Sequence, residues 1–222
     1  AAFAIMIFIT VSAALIAVRL NSLLAAVFGI IGGYCTPVML STGTVDLPGL
    51  FTYLLILGVG VVAISKYKEW KLLNGLGFVF TYGLYWVAIE RFYSAKDFNI
   101  AVSFLSLFFL LFALIPVINN IFDRQKSNAL TLVGMFFNAL VYFPLSANLI
   151  LKIYDRHRLA IVCVGLAVFY TSQIILFLWR RLVDKNLLIM LIAFASFFVT
   201  LTIPLTLSDE WITMSWSIQA LI

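Results

Sequence analysis

The sequence predicts an all-α polytopic transmembrane helix bundle of about eight or nine helices, and three observations carry the prediction. Hydrophobic residues make up 64% of the 222-residue chain and charged residues 10%, against roughly 45–50% and about 25% in a soluble domain. The mean hydropathy is +1.15. The apolar residues fall in runs close to the roughly 20 needed to cross a hydrocarbon core, and nearly every charge falls in the short linkers between them. A water-soluble globule of this composition would leave apolar surface that its few charges cannot cover. A bilayer takes that surface as its solvent. Residues 1–222 read as a single transmembrane helical region.

The first run is Ala2 to Val18, closed by Arg19. The second is Leu23 to Leu40, interrupted by Gly32-Gly33 and Pro37. Pro48 to Ser65, Leu72 to Ile89, Ile100 to Phe122, Ala129 to Ile153, Leu159 to Trp179 and Leu187 to Leu207 follow, and a ninth run begins near Trp211. Short linkers make neighbouring helices antiparallel. Both ends read as cut. Ala1 opens directly into an apolar run and Ile218 to Ile222 lie in another, so the chain reads as a fragment of a longer polytopic protein. The first run lacks the basic start and cleavage site of a signal peptide.

Basic residues orient the bundle. Taking linkers alternately, one set holds Arg19, Lys66, Lys68, Lys71, Arg124, Lys126, Arg180, Arg181 and Lys185, nine of the 14 Lys and Arg residues. The other holds Arg91, Lys96, Lys152, Arg156 and Arg158. The richer set is expected in the cytoplasm. Trp70, Tyr67, Tyr93, Tyr154, Trp179 and Trp211 stand near the expected helix ends, where amphipathic rings favour the interface. The net charge of +5 is therefore a topology signal, and nucleic acid is not an implied partner. The implied partners are the lipid bilayer, other membrane proteins or a second copy of the chain.

Ionisable residues at mid-membrane depth mark ion or proton paths, and none is evident; Glu90 and Arg91 fall at the end of the fourth run. His157 stands alone in a basic linker and reads as a solvated loop residue. No metal-ligand spacing, phosphate-binding glycine loop or nucleophile elbow occurs, so the sequence implies no cofactor, no metal and no catalytic residue. Cys35 and Cys163 lie within apolar runs and read as unpaired small hydrophobes. Pro116, Pro144 and Pro204 predict kinks. Asn138, Tyr142 and Ser146 share a face of the sixth helix, as Asn74, Thr81 and Tyr85 do on the fourth. Such stripes serve interhelical hydrogen bonding or line a polar pathway. The abundant phenylalanine (21 residues) reads as lipid-facing and interhelical packing.

The segment Gly29 to Gly43 is the most unusual. Ala25, Gly29 and Gly33 form a small-xxx-small stripe that admits a close helix. Gly32-Gly33 weakens helical preference, and Pro37 removes the donor to the Gly33 carbonyl. Regular helix is expected to stop between Gly32 and Pro37. Broken helices at membrane depth persist where buried or lining a cavity, and build substrate sites in transporters. Gly32, Gly33, Tyr34, Thr36, Pro37, Ser41, Thr42 and Asp46 are the candidate binding residues. The alternative is a tight crossing followed by a turn at Ser41-Thr42-Gly43. Gly60 reads as less constrained than Gly33.

Gly32, Gly33, Tyr34, Thr36, Pro37, Leu40, Ser41, Thr42 and Gly43 match a Gly-Gly-(Tyr/Phe)-x-Thr-Pro-x-x-Leu-Ser-Thr-Gly stretch. On these residues the sequence resembles a family of large bacterial membrane proteins described as a predicted membrane protein domain of unknown function. Trp70, Leu73 and Asn74 match a second stretch of that family. Pro204-Leu205 with Trp211 and Trp216 resemble a third, where Gln219 stands in place of a glutamate. The resemblance implies a multi-pass protein of the bacterial cytoplasmic (inner) membrane with further helices, and it brings no activity. The leading functional expectation is a transport or permease-like role for an envelope component. The rivals are a structural or assembly scaffold, which predicts a packed interior without a cavity, and a membrane-embedded transferase on a lipid-linked substrate, with Asp46 as its acid.

Overall fold

The computed structural model describes residues 2–39, 46–123, 128–180 and 184–206, and among these every regular element is helical. The elements are α1 (Ala2–Arg19), α2 (Leu23–Met39), α3 (Leu47–Lys68), α4 (Lys71–Phe92), a 3₁₀ turn (Ala95–Asp97), α5 (Phe98–Ala113), α6 (Ile115–Asp123), α7 (Ala129–Leu151), α8 (Arg156–Trp179) and α9 (Lys185–Thr206). Among the described residues, six spans are long and apolar enough to cross a membrane: Leu47–Lys68, Lys71–Phe92, Ala95–Asn120, Ala129–Leu151, Arg156–Trp179 and Lys185–Thr206. Only 28–44% of the core of each is buried within the chain. Side chains such as Trp86, Phe136, Ile161 and Phe197 face outward, and these need hydrocarbon around them.

Local chemistry sets the helix ends. Asn21 turns the chain from α1 into α2 at φ 50, a left-handed conformation that asparagine tolerates. Ser22 caps α2, its Oγ accepting from Ala25 N at 3.3 Å. Pro48 lies in the first turn of α3, where its missing N–H is one that the helix leaves unbonded anyway. Asn128 caps α7 by accepting from Thr131 N at 3.2 Å. The predicted helix Ile100 to Phe122 is in fact two, interrupted at Leu114. Pro116 cannot donate back to Phe112, and its ring crowds that carbonyl. It sits instead in the first turn of a new helix, opened by Ile118 N donating to Leu114 O at 2.9 Å.

The expected stop in the second helix does not occur. α2 runs unbroken through Gly32, Gly33 and Pro37 to Met39. Pro37 lies two residues from the end of the helix, so one internal hydrogen bond is lost, and a neighbouring helix replaces it as described below.

The chain divides into two compact units, Ala1–Phe112 and Ala113–Ile222. In the first, α1 packs on α2 and α3, and α4 packs on α2 and α3. Phe51 of α3 lies within 6.4 Å, centroid to centroid, of Tyr85, Phe104 and Phe108, which fastens α3 to α4 and α5. In the second, α8 and α9 form the main pair, α7 packs on α8 and α6 on α7. Tyr170 of α8 stacks on Phe194 and Phe198 of α9 at 4.9 and 6.0 Å. Phe136 and Phe143 of α7 join the same two rings. Interhelical packing thus takes up many of the phenylalanines.

Candidate functional site

The unusual segment of α2 is held by its neighbours from three sides. Gly33 is buried, and a Cβ built on it would lie 2.8 Å from Thr10 Cγ2 of α1. One turn earlier, a Cβ on Gly29 would lie 3.8 Å from Ala13 Cβ. The glycine stripe is therefore the face on which α1 approaches, as its small-xxx-small spacing predicts. From α3, the buried Tyr53 hydroxyl donates to the Gly33 carbonyl at 2.7 Å. That carbonyl is the one Pro37 leaves without a donor. Thr36 Oγ1 donates to the Gly32 carbonyl at 2.6 Å. The sequence weakens α2 at this turn and the fold restores it with side-chain hydroxyls, which is how proline is accommodated in membrane helices.

Tyr34 faces away from that contact. Its hydroxyl shares a hydrogen bond of 2.9 Å with Thr81 Oγ1 of α4, and its ring stacks on Phe80 at 5.5 Å and 18°. Gly58 of α3 and Gly77 of α4 flank the hydroxyl, a built Cβ lying in ordinary contact at 3.9 or 3.8 Å from it, while the close approaches these glycines admit are Leu111 Cδ2 at 2.8 Å and Val61 Cγ1 at 3.0 Å. Tyr34 is 1% exposed, and a phenol so deep in a bilayer needs this partner.

Beside this lock lies a groove of about 260 Å³ walled by α1, α2 and α3, with Leu73 of α4 at one end. Ala14, Gly29, Ile56, Gly60 and Ile64 are among its lining residues. Among the described residues on its wall, Thr10 and Tyr34 carry the side-chain hydroxyls. A Cβ on Gly60 would meet nothing within 4 Å. The rim residues Leu15, Ile56 and Ala63 are exposed, so the groove opens on the outer surface of the unit. Eight residues separate Thr10 from Val18 and eight separate Ile56 from Ile64, so the groove is about 12 Å long at the helical rise.

Of the six candidate residues that are described, Tyr34 alone lines the groove. Gly33 is consumed by the contact with Thr10 and Tyr53. Gly32 is exposed with nothing within 4 Å of a built Cβ. Thr36 and Pro37 are half-buried and Asp46 is exposed just ahead of α3. Ser41 and Thr42 lie outside the described residues. The residues that matter beside Tyr34 are Thr10, Tyr53, Gly58, Gly60, Gly77 and Thr81, which come from three other helices.

The polar stripes point inward. Thr81 and Tyr85 of α4 are buried, and the Tyr85 hydroxyl donates to the Ala101 carbonyl of α5 at 2.9 Å. Asn138, Tyr142 and Ser146 of α7 are all buried. Asp184, in the linker just ahead of α9, is 4% exposed. It caps α9 by accepting from Leu187 N at 3.3 Å, and accepts from Asn120 Nδ2 of α6 at 3.1 Å. His157 lies in the first turn of α8, and its Nδ1 is 3.0 Å from the Leu205 carbonyl of α9. A carbonyl only accepts, so that nitrogen carries the proton. Cys35 and Cys163 are both free thiols. Among the described residues no three His, Cys, Asp or Glu side chains gather as a metal site.

The profile of the family described as "Predicted membrane protein (DUF2339)" matches residues 1–222. No curated protein and no solved structure matches the chain.

Proposed function

We propose that this chain, which belongs to the DUF2339 predicted membrane protein family, is a permease-like protein of the bacterial inner membrane. In this reading it takes the apolar chain of an envelope lipid into the groove of its first unit and passes it on. The groove is the observation that supports the reading. It is apolar, it opens on the outer surface of the unit, and small residues on three helices, Ala14, Gly29 and Gly60, line it. Lipid tails are as apolar as its wall, so no hydrophobic transfer drives entry. What favours occupation is dispersion contact, which a groove wall facing a void forfeits. The groove weighs against a scaffold with a filled interior. Asp46, the acid a transferase would need, is exposed ahead of α3 and does not line the groove.

Gly60→Leu tests the proposal. The new side chain projects into the groove without touching the wall at its Cβ, so the fold is expected to stand. After purification in mild detergent, bound lipid is quantified by mass spectrometry against protein. Wild-type protein is expected to retain lipid, and Gly60→Leu to retain about five-fold less, the equivalent of about 1 kcal/mol of lost packing. Equal retention by the two proteins would overturn the groove as the binding site.

The orientation proposed from the basic residues places Lys68 in the cytoplasm. A single cysteine at position 68, in a background lacking Cys35 and Cys163, is expected to resist an impermeant thiol reagent in intact cells and to react after permeabilisation. Labelling in intact cells would reverse the orientation.

A further inference from the structure

We propose that the lipid taken by the groove is anionic, and that its phosphate head group is held by a collar of Arg19, Lys66, Lys68 and Lys71. This rests on the reading of the groove as a lipid-chain site and adds the chemistry of the head. Three observations carry it.

The groove has a direction. Thr10, Tyr34 and Ile56 mark one end, while Val18, Ala26, Ile64 and Leu73 mark the other. Antiparallel connection of α1 to α2, and of α3 to α4, brings this second end to the α1–α2 and α3–α4 turns.

That end is basic. Arg19 follows Val18 directly, Lys66 and Lys68 follow Ile64 by two and four residues, and Lys71 precedes Leu73 by two. Each is within about 6 Å of the groove end along its helix axis. Lys68 Nζ donates to Asn21 Oδ1 at 3.0 Å, which carries its ammonium from α3 to the α1–α2 turn at the groove mouth. Arg19, Lys66 and Lys71 are exposed.

The opposite end is not basic. Every charged residue of the first unit lies at one end or the other. Beside the collar there is one acid, Glu69, giving a net +3; at the far end Asp46, Glu90 and Asp97 outnumber Arg91 and Lys96, giving a net −1. An amphiphile with its tail in the groove is therefore drawn head-first to the collar. A phosphate there meets several donors at headgroup depth, as in basic pockets between membrane helices that bind anionic lipid heads. The same positive-inside bias that orients the helices thus serves a second purpose at this groove.

The test uses the full chain in detergent, titrated with phosphatidylglycerol or phosphatidylcholine of matched acyl chains, with native mass spectrometry as the readout. Wild-type protein is expected to prefer phosphatidylglycerol by more than ten-fold, since each nearby basic residue contributes about a five-fold gain. The variant Arg19→Gln/Lys66→Gln/Lys68→Gln/Lys71→Gln is expected to bind both lipids equally, at the wild-type level for phosphatidylcholine. Lys66→Arg/Lys68→Arg/Lys71→Arg is expected to keep the preference, which separates charge from misfolding. Gly60→Leu is expected to lose affinity for both lipids alike, about five-fold. Equal binding of the two lipids by wild-type protein, with Gly60→Leu still losing affinity for both, would overturn the head-group inference and leave the chain site standing. Binding of inorganic phosphate at the collar equally by wild-type and Gly60→Leu, without lipid preference, would also overturn it. Loss of preference in the arginine variant would overturn the role of charge.

Discussion

Gly33→Leu is expected to destabilise the protein by about 1–3 kcal/mol, the scale of overpacking a filled contact, and Gly60→Leu by less than about 0.5 kcal/mol. The contrast isolates packing, because both are glycine-to-leucine changes within membrane helices. At Gly33 the first added carbon already stands 2.8 Å from Thr10 Cγ2. Threonine is short and stiff at χ1, so its methyl has no flexible end to swing aside and α1 must move. A displaced α1 would also strain the Tyr53 bond to the Gly33 carbonyl. At Gly60 the added carbon meets nothing within 4 Å. Thermal unfolding in a single detergent measures both. Equal losses at the two positions would show that α1 is not set by the glycine face of α2.

Tyr53→Phe is expected to cost about 1–2 kcal/mol, because it leaves the Gly33 carbonyl without a donor in a medium that supplies none. Adding Pro37→Ala is expected to bring the cost below about 0.5 kcal/mol. Alanine restores the backbone N–H that belongs to that carbonyl in an unbroken helix, and it removes the ring crowding it. The two positions are therefore coupled by about 1 kcal/mol, well outside the additivity of independent sites. Unfolding of wild type, the two single variants and the double variant closes the cycle. Strict additivity would mean that the Tyr53 hydroxyl does not stand in for the missing proline donor.

Much of the fold is legible locally. Apolar runs bounded by charge gave the helices to within a few residues, and Gly29 with Gly33 announced a close crossing because their spacing places both on one face. The continuity of α2 was not legible. Pro37 is visible in the sequence, but the hydroxyl that compensates for it comes from Tyr53 on the next helix, and nothing near Pro37 encodes that partner. The break at Leu114 was read as a kink within one helix for a related reason. Pro116 signals a disturbance without saying whether the helix bends or restarts.

The groove was legible least of all. It is made of what is missing at Ala14, Gly29 and Gly60, small residues on three helices, and a void has no periodicity. Gly60 read as less constrained than Gly33, and a Cβ there does meet nothing within 4 Å, which is also why the groove exists. Asp184 sat among linker charges such as Arg181 and Lys185, and its burial goes with its cap on α9 and the bond from Asn120, neither of which its neighbours in sequence announce.

The groove beside the Tyr34–Tyr53 lock is proposed to hold a lipid chain, and a cryo-electron microscopy map of the full chain in lipid nanodiscs tests this. Elongated density is expected to run past Ala14, Ile56 and Gly60 and to reach the Arg19–Lys68 end. A groove closed by α1 against α3, with Gly60 in contact with α1 and no such density, would contradict it.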